Sequence, residues 1–175
     1  MIFITLGTQK QSFIRLLNEI ESCKILNNED IIAQVGYTKF TSDKIKTIDF
    51  LEVDEFNRYI ENSEFVITHG GVGSIFSAIL KNKKVIAMPR LKKYNEHVDD
   101  HQIEICEKLA SLGYIINYNP DKYENEENAS DLEQEINFLR SNNFQNYTED
   151  TSYLPKLSRT IEELLISWYF AKHYK

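Results

Sequence analysis

The chain has 175 residues, 42% hydrophobic and 27% charged, the proportions of an ordinary globular protein with enough length for one well-buried core. A formal charge of −7 without a basic run excludes a non-specific nucleic-acid binder. No apolar run reaches the roughly 20 residues of a membrane span, the apolar start Met1 to Leu6 is too short for a signal peptide, and Cys23 and Cys106 belong to no CxxC pair, so a reduced, cytoplasmic setting is expected.

Ile2 to Leu6 reads as a short strand, and Ser12 to Ser22 has helical spacing through Phe13, Leu16, Leu17 and Ile20. Ile31 to Val35 is a second strand and Lys46 to Leu51 a third, followed by a helix from Asp54, a good N-cap residue, to Asn62. Phe65 to Thr68 is the fourth strand; it breaks into His69-Gly70-Gly71-Val72-Gly73-Ser74, after which Ile75, Phe76, Ile79 and Leu80 are helical. Lys84 to Met88 is the fifth strand, closed by Pro89, and His97 to Leu112 a helix ending at Gly113, suited to an αL cap. Tyr114 to Ile116 is the last strand. Short apolar strands without alternation are buried on both faces, which predicts an α/β fold with a parallel sheet under flanking helices.

From Asn117 the composition changes to polar and acidic, so residues 1–118 are expected to form the main domain. Residues 119–175 then form a polar connection and helices that pack on the domain or on a partner. Asp131 to Leu139 reads as a helix, and Leu157, Ile161, Leu164, Leu165 and Trp168 make an amphipathic C-terminal helix after Pro155. Its aromatic residues broaden the apolar stripe and suit a docking face, while Glu162 and Glu163 argue against membrane insertion.

In a parallel sheet, ligands bind beyond the carboxyl ends of the strands. Three of the six glycines lie in one such turn, and three of the four histidines lie in or just after these loops; the clustering marks this edge as the expected site. The turn 69–74 is read either as an anion site, with glycines permitting close approach and a helix N-terminus supplying donors, or as a plain strand-to-helix joint. Glu96, His97, Asp100, His101 and Gln102 at the start of the next helix suit sugar hydroxyls, or else form a capping cluster. Arg90, Lys92 and Lys93 either offset a diphosphate or are solvated. No metal is expected: Val98 follows His97 where a zinc protease has Glu, and no third ligand is evident. Gly7-Thr8-Gln9 lacks the dinucleotide fingerprint, and no Walker lysine is present.

Ile4-Thr5-Leu6-Gly7-Thr8, Ile67 through Ser74, and Pro89-Arg90 with Glu96-His97-Val98-Asp99-Asp100-His101-Gln102 resemble the three signatures of one family. It joins bacterial capsule and exopolysaccharide transferase subunits of the PssE type with the catalytic subunit of the eukaryotic dolichol-linked N-acetylglucosamine transferase. The resemblance covers about residues 1 to 116. It implies the Rossmann-like, nucleotide-sugar-binding C-terminal half of a GT-B glycosyltransferase, similar to the MurG type. Such a chain is an inverting, UDP-sugar-dependent hexosyltransferase subunit with no cofactor. It acts with a membrane-anchored partner that binds a lipid-diphosphate-linked acceptor, and is recruited by it to the inner membrane face. A non-enzymatic nucleotide-sugar-binding subunit is the alternative. The implied donor-binding set is Gly7, Thr8, His69, Gly70, Gly71, Gly73, Ser74, Ser77, Glu96, His97, Asp100, His101 and Gln102, with Ser77 where the family usually has a ribose-binding Glu. The catalytic residue stays open, with His69 and Glu96 as candidates.

Overall fold

The computed structural model describes residues 1–122, 131–141, 156–160, 162–163 and 166. Six strands, β1 (Ile2–Thr5), β2 (Ile31–Gln34), β3 (Ile45–Ile48), β4 (Phe65–His69), β5 (Lys84–Met88) and β6 (Ile116–Asn117), form one sheet in the order β3-β2-β1-β4-β5-β6. Every pairing is parallel. The helices are α1 (Ile14–Ser22), α2 (Val53–Asn62), α3 (Val72–Leu80), α4 (His101–Ser111) and α5 (Leu132–Arg140).

Side chains alternate across β1, so it feeds both layers of the core. Ile2 and Ile4 join Leu16, Leu17 and Ile20 of α1 and Leu132, Ile136 and Leu139 of α5 in one buried cluster. Phe3, between them, turns to the opposite face. There it stacks on Tyr59 and meets Phe56 edge-on, each at 5.5 Å, which seats α2. α3 packs on β4 and β5, and α4 on β6. A strand covered this way has no polar face to alternate with, which is why β1, β2 and β4 are buried at every position.

The parallel α/β architecture is as expected, and several element boundaries differ. The third strand lies at Ile45–Ile48 rather than 46–51, because its register is set by pairing Ile31 with Ile45 and Gln34 with Ile48. The last strand is Ile116–Asn117. α4 begins at His101, not His97: the Asp100 carboxylate accepts the Lys92 N–H at 2.8 Å, and the Asp99 carboxylate that of His101 at 3.1 Å. Residues 97–100 are thereby spent on loop contacts instead of a first helical turn. At α2, Glu52 is the N-cap and Asp54 lies in the first turn, where its charge still complements the helix dipole. The αL residue after α4 is Gly113, as expected.

The chain divides into two units, Met1–Gln145 and Asn146–Lys175. α5 belongs to the first. The Asp131 side chain caps it by accepting the Gln134 N–H at 2.8 Å, and Leu132, Ile136 and Leu139 are buried. In the second unit, residues 156–160 are helical, with Leu157 buried. The expected apolar stripe beyond it, at Ile161, Leu164, Leu165 and Trp168, lies outside the described residues. Among the described residues no helix is long and apolar enough to cross a membrane.

If α5 is part of the domain core, Ile136→Ala removes a fully buried side chain. It should lower the unfolding free energy by about 3 kcal/mol, read from urea unfolding of the full chain. A loss within experimental error of zero would place α5 outside the cooperative unit.

Candidate functional site

Strand order reverses between β1 and β4, so the crevice that an open α/β sheet offers a ligand lies at their carboxyl ends. Gly7 follows β1, and His69, Gly70 and Gly71 end β4 and open α3. The two loops meet through the His69 imidazole. A Cβ on Gly7 would lie 2.5 Å from His69 Cε1, and one on Gly71 2.1 Å from Nε2. The ring therefore occupies the space that two missing side chains leave, and Gly7 also sits at φ +73°, where an L side chain is strained. Gly70 serves a different contact: a Cβ there would lie 2.8 Å from Cys106 Sγ and from Gln102 Cβ, so α4 packs directly on the turn. Gly73 faces open space, with nothing within 4 Å of its Cβ position.

The Thr68 hydroxyl donates to Thr5 O at 3.1 Å and lies 3.3 Å from His69 Nδ1. With its one proton committed, it accepts from Nδ1–H, which leaves the lone pair on Nε2. Burial, reinforced by the Arg90 guanidinium, pushes the His69 pKa down to about 3, so the ring is neutral throughout the physiological range.

Arg90 is 1% exposed. Its guanidinium donates to Leu6 O at 2.7 Å, Gln11 O at 2.8 Å and Glu96 O at 3.1 Å, and lies 4.7 Å from the centre of the Phe13 ring. Burial pushes its pKa down to about 10 against the pull of Glu96, which leaves it protonated at neutral pH. It is thus neither solvated nor directed at a ligand; it ties the β1–α1 loop to the β5–α4 loop. Gln102 belongs to the same device, its Oε1 accepting the Arg90 N–H at 3.0 Å.

Glu96 is also spoken for. Arg15 of α1 grips its two oxygens, Nε to Oε1 at 3.0 Å and a terminal nitrogen to Oε2 at 2.7 Å, and the Leu91 N–H adds a third bond at 3.0 Å. Arg15 also donates to Pro89 O and Asp121, and lies 5.0 Å from the Tyr94 ring centre. Asp121 accepts from the Tyr94 hydroxyl at 2.6 Å and pairs with Lys93. Burial alone would raise the Asp121 carboxyl; the bonds from Tyr94 and Lys93 and the Arg15 charge hold it below the usual range. Nothing in the local sequence marks Arg15, whose partner is 81 positions away.

His97 reaches across to the β1–α1 loop, its Nε2 2.9 Å from Gln9 Nε2, while its Nδ1 lies 3.0 Å from Asp99 Oδ1. His101 sits beside Glu104 at 3.7 Å, and burial lowers its pKa despite that carboxylate and Asp99. Of the expected set, Gly7, His69, Gly70, Gly71, His97, His101 and Gln102 converge on the crevice. Thr8 is exposed, Gly73 and Ser74 lie in the first turn of α3, and Asp100 is exposed with its carboxylate on the Lys92 N–H. The Ser77 hydroxyl turns back to Gly73 O at 2.8 Å. A pair outside that set, Tyr37 and Phe50, stands half exposed on the same edge with ring centres 5.1 Å apart. Gly36 links it to the crevice, its Cβ position lying 2.8 Å from Gly7 O and 3.8 Å from Phe50 Cε1.

A model of the glycosyltransferase family 28 C-terminal domain matches residues 1–164. The Candida albicans UDP-N-acetylglucosamine transferase subunit ALG13 is 30% identical over 159 residues, covering 90% of this chain and 52% of that protein. Its Candida glabrata namesake is 38% identical over 107 residues, 61% of this chain and 50% of that protein. The chain therefore spans about half the length of these curated relatives. In fold it resembles the NMR solution structure of ALG13 (TM-score 0.60, 20% identity, 91% of this chain and 93% of that one). It also resembles the calicheamicin glycosyltransferase CalG4 (TM-score 0.54, 11% identity, 99% and 44%).

The enclosure of His69 has a measurable consequence. Its folded pKa lies below the unfolded value of 6.5, so the unfolded chain binds the proton more readily, and this group's contribution to stability is lost as pH falls from 6.5 towards 3. In wild type, the NMR shifts of the ring nitrogens should stay those of a neutral imidazole from pH 8 to 5. Gly71→Ala should expel the ring and return its titration towards 6.5. A wild-type midpoint near 6.5 would contradict the enclosure.

Proposed function

Because the chain belongs to the glycosyltransferase family 28 C-terminal domain family, we propose that it is the donor-binding half of a two-chain inverting glycosyltransferase that uses a UDP-sugar. The observation that carries this reading is the start of α3. It opens on Gly71 at the strand reversal, no side chain caps it, and Gly73 leaves its approach clear. The first N–H groups of a helix have no intrahelical acceptor, and the dipole adds positive character there. A diphosphate held by the N–H groups of Val72, Gly73 and Ser74 satisfies both, and the same donors stabilise the charge that develops as UDP leaves. The exposed Tyr37–Phe50 pair offers aromatic surface to the base.

The acceptor side belongs to a partner chain. In support, this chain spans about half of its relatives, whose names describe a subunit. The likeness to PssE-type subunits favours a membrane-anchored partner, a lipid-diphosphate-linked saccharide acceptor and a role in capsule or exopolysaccharide synthesis at the inner membrane face. A second reading, a non-enzymatic nucleotide-sugar-binding subunit, draws on Ser77: its hydroxyl is spent on Gly73 O, so the helix face where the family carries a ribose-binding carboxylate has none.

Gly73→Asp separates fold from binding. A carboxylate in the first turn complements the dipole and meets no steric obstacle, so the melting temperature should hold or rise. The same carboxylate occupies the phosphate position and should weaken UDP binding at least about tenfold in a calorimetric titration. UDP affinity equal to wild type would refute the phosphate assignment.

A further inference from the structure

We propose that Arg15 is a positioning residue for the donor sugar: through Glu96 it fixes the β5–α4 loop, and so sets how well the crevice distinguishes a UDP-sugar from UDP. The proposal rests on the donor-binding reading above. Strand order locates the sugar. Tyr37 follows β2 and Phe50 follows β3, on one side of the reversal between β1 and β4, and the β5–α4 loop lies on the other. With the base against that aromatic pair and the diphosphate at the start of α3, the sugar projects towards the β5–α4 loop, which brings His97 into the crevice.

The loop has little apolar surface to anchor it. Leu91 is buried, but Lys92, Lys93, Tyr94 and Asn95 are all exposed. Asn95 is left-handed, at φ +56°, immediately before Glu96 and His97. Arg90 secures the backbone at Glu96; the stretch before it depends on Arg15.

All three guanidinium nitrogens of Arg15 are used. They reach Pro89 at the start of the loop, both Glu96 oxygens at its far end, and Asp121 in the segment after β6. Asp121 returns to the same loop through the Tyr94 hydroxyl and Lys93. The Arg15 and Glu96 side chains are 16% and 5% exposed, so the pair is screened little by salt, and the planar fork fixes direction as well as distance. Glu96 passes the constraint on: its Oε2 also accepts the Leu91 N–H at 3.0 Å, and His97 is the next residue. With both oxygens engaged, Glu96 is a strut and not a reacting group. None of these partners belongs to the turn that opens α3, so loosening them spares the diphosphate and misplaces the loop that faces the sugar.

The test uses the full chain, with UDP and UDP-N-acetylglucosamine each titrated by calorimetry. Arg15→Lys keeps the charge and loses the fork. It should bind UDP within about threefold of wild type, and UDP-N-acetylglucosamine at least about tenfold more weakly than wild type does. Its amide NMR shifts should differ from wild type at Leu91 and His97 and hold at Val72, Gly73 and Ser74. Equal weakening of both ligands overturns the proposal, because a purely structural role gives that result. So does UDP-N-acetylglucosamine affinity within about threefold of wild type. Should Arg15→Lys fail to fold, Asp121→Asn removes one leg of the bracket and should shift the ratio of the two affinities in the same direction; an unchanged ratio overturns the proposal. Wild type that binds UDP but not UDP-N-acetylglucosamine also overturns it, leaving the diphosphate assignment intact. Failure of wild type to bind UDP overturns the donor-binding reading itself, and this proposal with it.

Discussion

Arg90 keeps a full positive charge with 1% of its surface exposed, and the shape of the crevice depends on how that charge is satisfied. Taking a guanidinium out of water costs several kcal/mol. The cost is offset by hydrogen bonds to three backbone carbonyls, the Phe13 ring beneath the guanidinium, and the nearby Glu96 charge, with Nε left without a hydrogen-bond partner among the described residues. Those carbonyls belong to Leu6 and Gln11 on one loop and Glu96 on another. The geometry that satisfies the charge is therefore also the geometry that locks two site loops together. A lysine, with one nitrogen and three rotatable donors, lacks the planar fork that spans these carbonyls.

Around that lock the remaining contacts act in series. Arg15 and Glu96 brace the β5–α4 loop against α1, and Gln102 holds the Arg90 backbone to the first turn of α4. Gly70 brings that helix onto the glycine turn, and His69 fills the gap between the turn and the end of β1. The crevice is thus set by contacts within the protein before any ligand arrives, so binding carries a smaller ordering cost. Under the proposed function, electrostatic stabilisation follows the same principle, with donors fixed in advance where charge would develop.

Much of this was legible in the sequence, for a physical reason: strands buried on both faces are uniformly apolar, and the helices between them have helical spacing. Ile2 to Leu6 and Phe65 to Thr68 could hardly be anything but inner strands of a parallel sheet. The edge that carries the candidate site was legible as well, since glycines and histidines gathered in loops at the carboxyl ends. What single residues were for was less so. Glu96 and Gln102 have the chemistry to grip sugar hydroxyls, yet their partners are Arg15 and the Arg90 backbone, and pairings between distant loops leave no local pattern. Gly71 permits a close approach, as its residue type implies, but on its Cβ side the approaching group is the imidazole two positions earlier. The start of α4 has no local signal for a related reason: Asp99 and Asp100 suit a cap, as their composition implies, but only the folded loop shows that the helix begins at His101, with Asp100 as its N-cap and the Asp99 carboxylate on the His101 N–H.

The central claim is that the uncapped start of α3, held beside the end of β1 by His69, is where a nucleoside diphosphate sits. The most direct measurement is a titration of the ¹⁵N-labelled full chain with UDP, followed by amide NMR shifts. The account predicts that the N–H resonances of Val72, Gly73 and Ser74 move furthest and saturate together, with smaller changes at Gly7 and Thr8. Saturable shifts confined to other surfaces, with the α3 amides unmoved, would contradict it.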